Sequence, residues 1–567
     1  MNNLYLVLLV ILLYWMLVRY LDRRGILNKY NITAHGPVLM IRTQKGQEFL
    51  DRLAVHKRFW RLFANAGLPA MLIGMLVMFL LILFIDYSII TSFQAQTVPH
   101  PGKFNEPRNI FLIPGINEFI PFTWGIIALI ITLVVHEFAH AILCKVEGIR
   151  VKSMGLLVAI LPIGGFAEPD EEQLLGKQSD TDEENEAGLT PKEPKKLATR
   201  NERVRVLTAG VMANFVTAFI AFILFFSLLG SLSPVGDVTV VQTVPGYPAE
   251  EAGVKPNMII TGINGKQVEN AHDFLVYAKR LEPGAEVKLD LIENGTKKDL
   301  TFITSGRNET VTGVRIFKVL NETPAEAAGL LPDMVLVRMN DTNITDLTDF
   351  IRFMGSTAAG QKVDVYALSN TSVNATLQVF SNVKLDKYPD DPSATKGFLG
   401  VSYAPDGATS YSVGVSIAQF PASGFLNGLK SIPSKLTGTY GWLMLFSLPF
   451  AGSPDGELFT GFTGVLTYYY ENSGWASSLG TEIFWILTVL LWVGWMNFYV
   501  GLFNCLPAVP LDGGHVFRDV MTSTLSRVMG NGEKVERLSN AIVVVFAVLI
   551  LMSFIFVIFA PYAAHGF

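Results

Sequence analysis

Residues 136–140 read His-Glu-Phe-Ala-His, inside an otherwise apolar stretch that runs from Pro121 to Cys144. On a helix, His136 and His140 share one face, about 6 Å apart along the axis at roughly 1.5 Å rise per residue. Two imidazoles so placed present a ligand pair to a divalent ion, and Glu137 beside them is suited to hold a water and take its proton. The chemistry this pattern supports is metal-assisted hydrolysis. Three ionisable side chains in a segment long enough to cross a bilayer are unfavourable unless compensated, and a bound cation compensates them. Cys144 follows His140 by four residues. It would lie roughly 80° round the helix and about 12 Å along it from His136, poor geometry for sharing the ion. Cys144 and Cys505 are the two cysteines, and both read as small apolar packers with no disulfide framework behind them.

The elements that must position this motif are membrane spans. Of 567 residues, 50% are hydrophobic and 16% charged, and the mean hydropathy is +0.38, values of a membrane protein with room for several domains. A net charge of -5 implies no polyanionic partner and gives no support to nucleic-acid binding. Leu4–Val18 has no basic residue before it and no small-residue cleavage site after it, so it reads as a first span or anchor rather than a removable signal. Further spans are expected at Leu68–Ile90, Ile120–Cys144, Val206–Leu232, Ile483–Leu506 and Ala541–Ala560, each long enough for a hydrocarbon core of about 30 Å. Val151–Phe166 is broken by Pro162, Gly164 and Gly165 and is expected to be a re-entrant hairpin covered by protein or water. Residues 415–470 are aromatic with few charges and are expected to be membrane-associated.

Basic residues set the sidedness. Arg23, Arg24, Lys29, Arg42, Lys45, Arg52, Lys57, Arg58 and Arg61 place the loop between the first two spans in the cytoplasm. Counting onward puts 145–205 and 507–540 inside and 233–482 outside. Sequons at Asn294, Asn308, Asn321, Asn340, Asn343, Asn370 and Asn374 all fall in that outer segment, and Asn31 is taken as a chance match. The His pair then lies in the cytoplasmic half of its span. The fifth span delivers Asn504-Cys-Leu-Pro-Ala-Val-Pro-Leu-Asp-Gly-Gly514 to the same depth, so the two motifs are able to meet. Between 168 and 205 the chain is acidic and then basic, as expected of a solvated loop.

A duplication appears at an offset of 76 residues: Pro248-Ala-Glu-Glu-Ala-Gly253 matches Pro324-Ala-Glu-Ala-Ala-Gly329, and Pro256-Asn-Met-Ile-Ile260 matches Pro332-Asp-Met-Val-Leu336. Asn264 pairs with Asn340, and alternating runs such as Val287–Ile292 and Val363–Leu368 follow. These copies resemble PDZ domains of the bacterial protease-associated type. The first matches better, with Ile263-Asn264-Gly265, whereas the second has Met339-Asn340-Asp341, so its fold is safer than its ligand binding. The resemblance implies recognition of extended peptides or peptide termini by strand addition, or a steric filter against bulky substrates.

With the zinc motif in a span, a late Asp-Gly motif and PDZ-like repeats between them, the chain resembles the site-2 protease family of intramembrane zinc metallopeptidases. That resemblance implies one zinc ion held by His136, His140 and Asp512, with Glu137 as general base. It implies that Asn504 orients substrate backbone, that Gly210-Val-Met-Ala-Asn214 is the family's small-x-x-x-Asn pattern with Asn214 near substrate, and that Gly164, Gly165 and Phe166 belong to a hairpin pairing with substrate. Substrates would be transmembrane segments of membrane-anchored regulators already trimmed by another protease. Asp512 by itself reads as an ordinary turn aspartate, with Gly513-Gly514 allowing a tight turn; His515 reads as a supporting or interfacial residue. His35, His56, His100, His272 and His565 lack ligand spacing. The rival readings are a silent membrane scaffold with structural zinc and PDZ-mediated binding, opposed by the intact Glu137, and a zinc carrier, which would need ligands on several spans.

The expectation is a polytopic α-helical membrane protein of about six transmembrane helices with a re-entrant β-hairpin and two inserted α+β PDZ-like domains. Its parts would be 1–66, an N-terminal span and loop; 67–232, the core with the zinc motif; 233–306 and 307–383, the PDZ-like copies; 384–481, a connector; and 482–567, the C-terminal core.

Overall fold

Pro121 and Gly148 bracket the helix that carries the histidines. Proline has no N–H to lose at a helix start, and Gly148 adopts φ +77° and returns N–H groups to the last carbonyls. In the computed structural model, the described residues are 2–43, 47–109, 112–158, 162–175, 197–244, 246–293, 295–305, 310–321, 323–332, 334–345, 347–369, 376–387, 395–403, 408–410, 412–451, 458–530 and 532–566. The chain divides into two units, Met1–Leu224 with Val489–Phe567, and Phe225–Thr488. The expected loop 168–205 lies outside the described residues over 176–196, as do Asn294, Asn308, Asn370 and Asn374.

The first half of the chain holds α1 (Asn2–Arg23), β1 (Ile32–His35), β2 (Val38–Thr43), α2 (Gln47–Ala54), α3 (Lys57–Ala95), α4 (Phe122–Glu147), β3 (Val151–Val158), β4 (Pro162–Pro169), α5 (Glu171–Leu175) and α6 (Arg200–Leu229). Next come β5 (Leu232–Pro234), β6 (Val238–Thr243), α7 (Pro248–Glu251), β7 (Ile259–Ile263), β8 (Lys266–Gln267), α8 (Ala271–Lys279), β9 (Glu286–Glu293), β10 (Thr296–Ile303) and β11 (Thr310–Thr312). The second copy comprises β12 (Val314–Val319), α9 (Pro324–Ala328), β13 (Val335–Met339), β14 (Thr342–Asn343), α10 (Leu347–Gly355), β15 (Lys362–Leu368), β16 (Leu377–Lys384) and β17 (Val401–Tyr403). The remainder is β18 (Ala408–Ser410), β19 (Val415–Gln419), α11 (Ala422–Lys435), α12 (Thr439–Ser447), β20 (Tyr470–Asn472), α13 (Glu482–Asn504), α14 (Asp512–Met529) and α15 (Glu533–His565).

Among the described residues, five helices, α3, α4, α6, α13 and α15, are long and apolar enough to cross a membrane. The sixth expected span falls in α1, where the side chains of residues 2–11 are not among those described. In the first unit, α4 packs by small and apolar side chains, Ala139, Ala141, Ile142 and Leu143, against Leu50 of α2, Ala64 of α3 and Val206 and Ala209 of α6. Between spans such packing is held by van der Waals contact rather than by removal of apolar surface from water, and small residues let the helices approach closely. At the C-terminal end of α4, Glu147 is buried, and such a charge needs partners. It accepts from Arg61 of α3 at 3.1 and 2.8 Å and from Arg205 of α6 at 3.2 Å.

Over the segment expected to be a re-entrant hairpin, β3 and β4 pair antiparallel within a four-stranded sheet of order β1-β2-β3-β4. The N-terminal loop therefore contributes two strands to it. At Gly155 an added Cβ would meet Ile41 O at 1.9 Å, so only glycine lets β3 approach β2 there. β4 is an outer strand and runs beside α4.

In the second unit the duplication is structural: β6, α7, β7, β8, α8 and β9 each begin 76 residues before their counterparts β12, α9, β13, β14, α10 and β15. Asn264 and Asn340 turn the chain alike, with φ +50° and +48°. Each Oδ1 accepts a backbone N–H across the sheet at 2.7 Å, from Lys288 and Asp364 respectively. Asn340 is therefore engaged in its own turn, and of the described outer sequons Asn321 and Asn343 are the exposed ones. Each sheet closes over its own core, built on Phe274, Ile260 and Leu289 in the first copy and on Leu336, Val365 and Ile316 in the second.

The sheets do not stop at the boundaries expected at 306 and 383. β17 pairs with β12, and β19 pairs with β6, so the second copy is nested inside the first and part of the expected connector is sheet. The expected membrane association of 415–470 also meets a size limit. There α11 and α12 have 14 and 9 residues, too short for a core of about 30 Å.

Candidate metal centre

Three helices of the first unit converge on one point. His136 and His140 come from successive turns of α4, Asp512 is the first residue of α14, and α6 lies against both rings. His136 Nε2 and His140 Nε2 are 3.1 Å apart, and Asp512 Oδ2 is 3.2 and 3.3 Å from them. A tetrahedral ion with bonds of about 2.0–2.1 Å sets its ligand atoms roughly 3.3 Å apart. This triangle therefore has the dimensions of three corners of a zinc site. Asp512 Oδ2 is buried with no hydrogen-bond partner in the protein, as an oxygen reserved for a cation would be.

The far ring nitrogen sets the tautomer of His140. His140 Nδ1 donates to Val206 O at 2.8 Å, which frees its Nε2 lone pair for a metal. His136 Nδ1 lies 3.2 Å from the Asn214 amide. With Nε2 turned to an ion, Nδ1 carries the proton and needs an acceptor. A half-turn of the fully buried amide brings its otherwise unpartnered Oδ1 to that place. Asn214, expected near substrate, is thus seated on a ring of the centre. Replacing it with Leu is expected to weaken zinc affinity about 10- to 100-fold, measured by competition with a metal indicator, while the fold persists.

Gly210 explains how α6 comes so close: an added Cβ would lie 2.4 Å from His140 Nε2 and 2.7 Å from His136 Cε1. Gly513 and Gly514, expected to allow a tight turn, instead sit in the first turn of α14. Added Cβ atoms there would meet Cys505 O at 2.4 Å and the Ala508 carbonyl carbon at 2.5 Å. Close approach, not turn geometry, demands these glycines. It lets the helix start press against the segment after α13 and hold Asp512 at its place.

Sequence reasoning missed the clamp behind Asp512. Asp519, two turns further along α14 on the same face, accepts from Nε and Nη2 of Arg203 on α6 at 2.7 and 2.8 Å. The pair is largely buried. Nothing in the residue types singles it out, because both are ordinary charges until the helices meet. Removing one partner of such a pair destabilises by about 3–5 kcal/mol, so Arg203→Met is expected to lower the thermal midpoint clearly in a melt of the purified protein.

Glu137 is half-buried on α4 next to the ring pair. Asn504 ends α13 half-buried, and His515 follows Asp512 by one turn. Gly164, Gly165 and Phe166 lie on β4 opposite Leu157, Leu156 and Gly155, and they are not part of the ligand triangle. Cys144 and Cys505 are both buried. Cys505 packs against α3, where an added Cβ on Gly74 would meet its Sγ at 2.7 Å. Among the described residues, His136, His140 and Asp512 form the group whose ligand atoms all lie within 4.8 Å.

Comparison with known proteins gives the chain a family. Residues 124–550 match peptidase family M50, and the chain belongs to that family. It is 29% identical over 317 residues to an uncharacterized protein of Methanocaldococcus jannaschii, covering 56% of this chain and 74% of that one. To the zinc metalloprotease RasP of Oceanobacillus iheyensis it is 26% identical over 236 residues, 40% of this chain and 53% of that one. The chain thus spans about half the length of that named metalloprotease. A third similarity, 26% over 142 residues, is to the periplasmic pH-dependent serine endoprotease DegQ of Escherichia coli, covering 21% of this chain and 31% of that one.

Proposed function

We propose that this chain is a zinc endopeptidase that cleaves peptide bonds within transmembrane segments of membrane-anchored regulatory proteins, already shortened by another protease. The observation that carries the reading is the ligand triangle of His136, His140 and Asp512, formed between a candidate span and the helix that follows another. Zinc, when bound there, would polarise a scissile carbonyl and acidify the attacking water. The residues of the chain supply the rest. His136 and His140 present their Nε2 atoms with the far nitrogens fixed, Asp512 adds one negative charge, and Glu137 takes the proton of the attacking water and passes it to the leaving amine.

A helical substrate must unwind before attack, because its carbonyls are hydrogen-bonded and shielded within the helix. The outer strand β4, beside α4, offers an edge on which an unwound segment can pair, with Gly164, Gly165 and Phe166 in its path. Asn504 would orient the substrate backbone from the end of α13. Basic residues around 23–61 and the outer sequons support a metal site toward the cytoplasm and repeats outside it. The test is to reconstitute the purified chain in vesicles with a single-span substrate, with and without a zinc chelator. Chelator-sensitive cleavage inside the span supports the proposal, and cleavage that persists without zinc rejects it.

A further inference from the structure

The sheet of the first repeat carries strands that the second lacks. The matching strands are β19 and β17, because each follows an equivalent loop. Val244 N and Ala249 N donate to Gly414 O and Val413 O, just as Leu320 N and Ala325 N donate to Gly400 O and Leu399 O. Gly414 and Gly400 share φ +87°. Among the described residues, β17 is the outer strand of the second repeat's sheet. In the first, β18 lies antiparallel on β19, with Ala408 opposite Ile417, Thr409 opposite Ser416 and Ser410 opposite Val415, and β11 pairs in turn with β18. β18 also packs beside α8. Ser410 is fully buried, its Oγ is 2.9 Å from Ser412 Oγ, and the Ser412 hydroxyl donates to Ala278 O of α8 at 3.2 Å.

An extended segment laid antiparallel on an outer strand, beside a helix, is the geometry by which peptides are taken up through strand addition. We propose that β19 and α8 form a peptide-docking edge whose resident occupant is β18 of the same chain. An extended peptide from elsewhere enters the first repeat only by displacing β18, while among the described residues no strand covers β17 of the second repeat. The turn motif matches better in the first copy, whereas the strand pairing leaves the second more open to an added peptide. β11 and β18 are also the strands that lead into and out of the second repeat. Displacing β18 therefore loosens the attachment of one repeat to the other. The inference goes beyond the peptidase reading and stands whether or not the chain cleaves anything.

The test uses the full chain in nanodiscs and, as probe, a fluorescent peptide of residues 405–412. Thr409→Pro removes a strand N–H and should release β18. The paired Thr409→Cys and Ser416→Cys variant, whose Cα atoms face each other, should lock it when oxidised. In the wild type, β19 amides should exchange with deuterium at least tenfold more slowly than β17 amides. The peptide should bind the Thr409→Pro protein at least tenfold more tightly than wild type, and the oxidised cysteine variant should not bind it. Equal binding to wild type and Thr409→Pro would overturn the proposal. So would failure of the cysteines to bridge, or exchange of β19 as fast as β17, a measurement that needs no variant. Cleavage assayed in parallel bears only on the peptidase reading.

Discussion

Purified Glu137→Gln protein should retain its zinc and lose turnover by about 100- to 10,000-fold, the usual contribution of a positioned acid–base group. The amide keeps the size of the side chain on α4 and removes its capacity to take a proton. Because His136, His140 and Asp512 bring three candidate ligand atoms within 4.8 Å of one another without Glu137, metal content by elemental analysis should match wild type. The two readouts separate the possibilities. Lost activity with retained zinc identifies a base, lost zinc identifies a ligand, and retained cleavage removes Glu137 from the chemistry.

Asp512→Ala is the second large effect, and it should act through the metal. The carboxylate is the only anionic corner of the triangle, 3.2 and 3.3 Å from the two ring nitrogens. Removing it leaves two neutral imidazoles to hold a divalent cation. A residue that merely supports a ligand is worth about 10- to 100-fold in metal affinity. Loss of a ligand should exceed that range, and zinc should leave during dialysis that the Asn214→Leu variant survives in part. Unchanged zinc content in Asp512→Ala would take the aspartate out of the ligand set and leave the proposed centre without its third corner.

How far the chain could be read before folding depended on how local each signal was. The zinc motif is legible because its two histidines are one turn apart, so helix geometry alone brings them together. The repeats are legible because the same interactions recur at a constant offset, down to Asn264 and Asn340 capping equivalent turns. Their boundaries were misplaced for the opposite reason. β6 completes its sheet with β19, which follows only after the whole second copy, and an alternating run of residues does not name its partner. The clamp between Arg203 and Asp519 was hidden in the same way. Each residue belongs to a different part of the chain, and only the packing of α6 on α14 makes their charges mutual.

Glycine shows the same division. A sequence reports that Gly210, Gly513 and Gly514 lack a side chain, but not whether the reason is a turn or a close approach. The structure decides for close approach, since a Cβ at each would lie within 2.5 Å of a ring atom or of backbone. By itself the amino-acid sequence determined which residues could bind a metal, which segments could cross a bilayer and that one domain was copied, because periodicity and spacing encode these locally. Only the tertiary structure decided that Asp512 meets the two histidines, that Asn214 lies against His136 and that β18 pairs with β19. Those facts arise from contacts between distant segments, and such contacts exist only once the chain has folded.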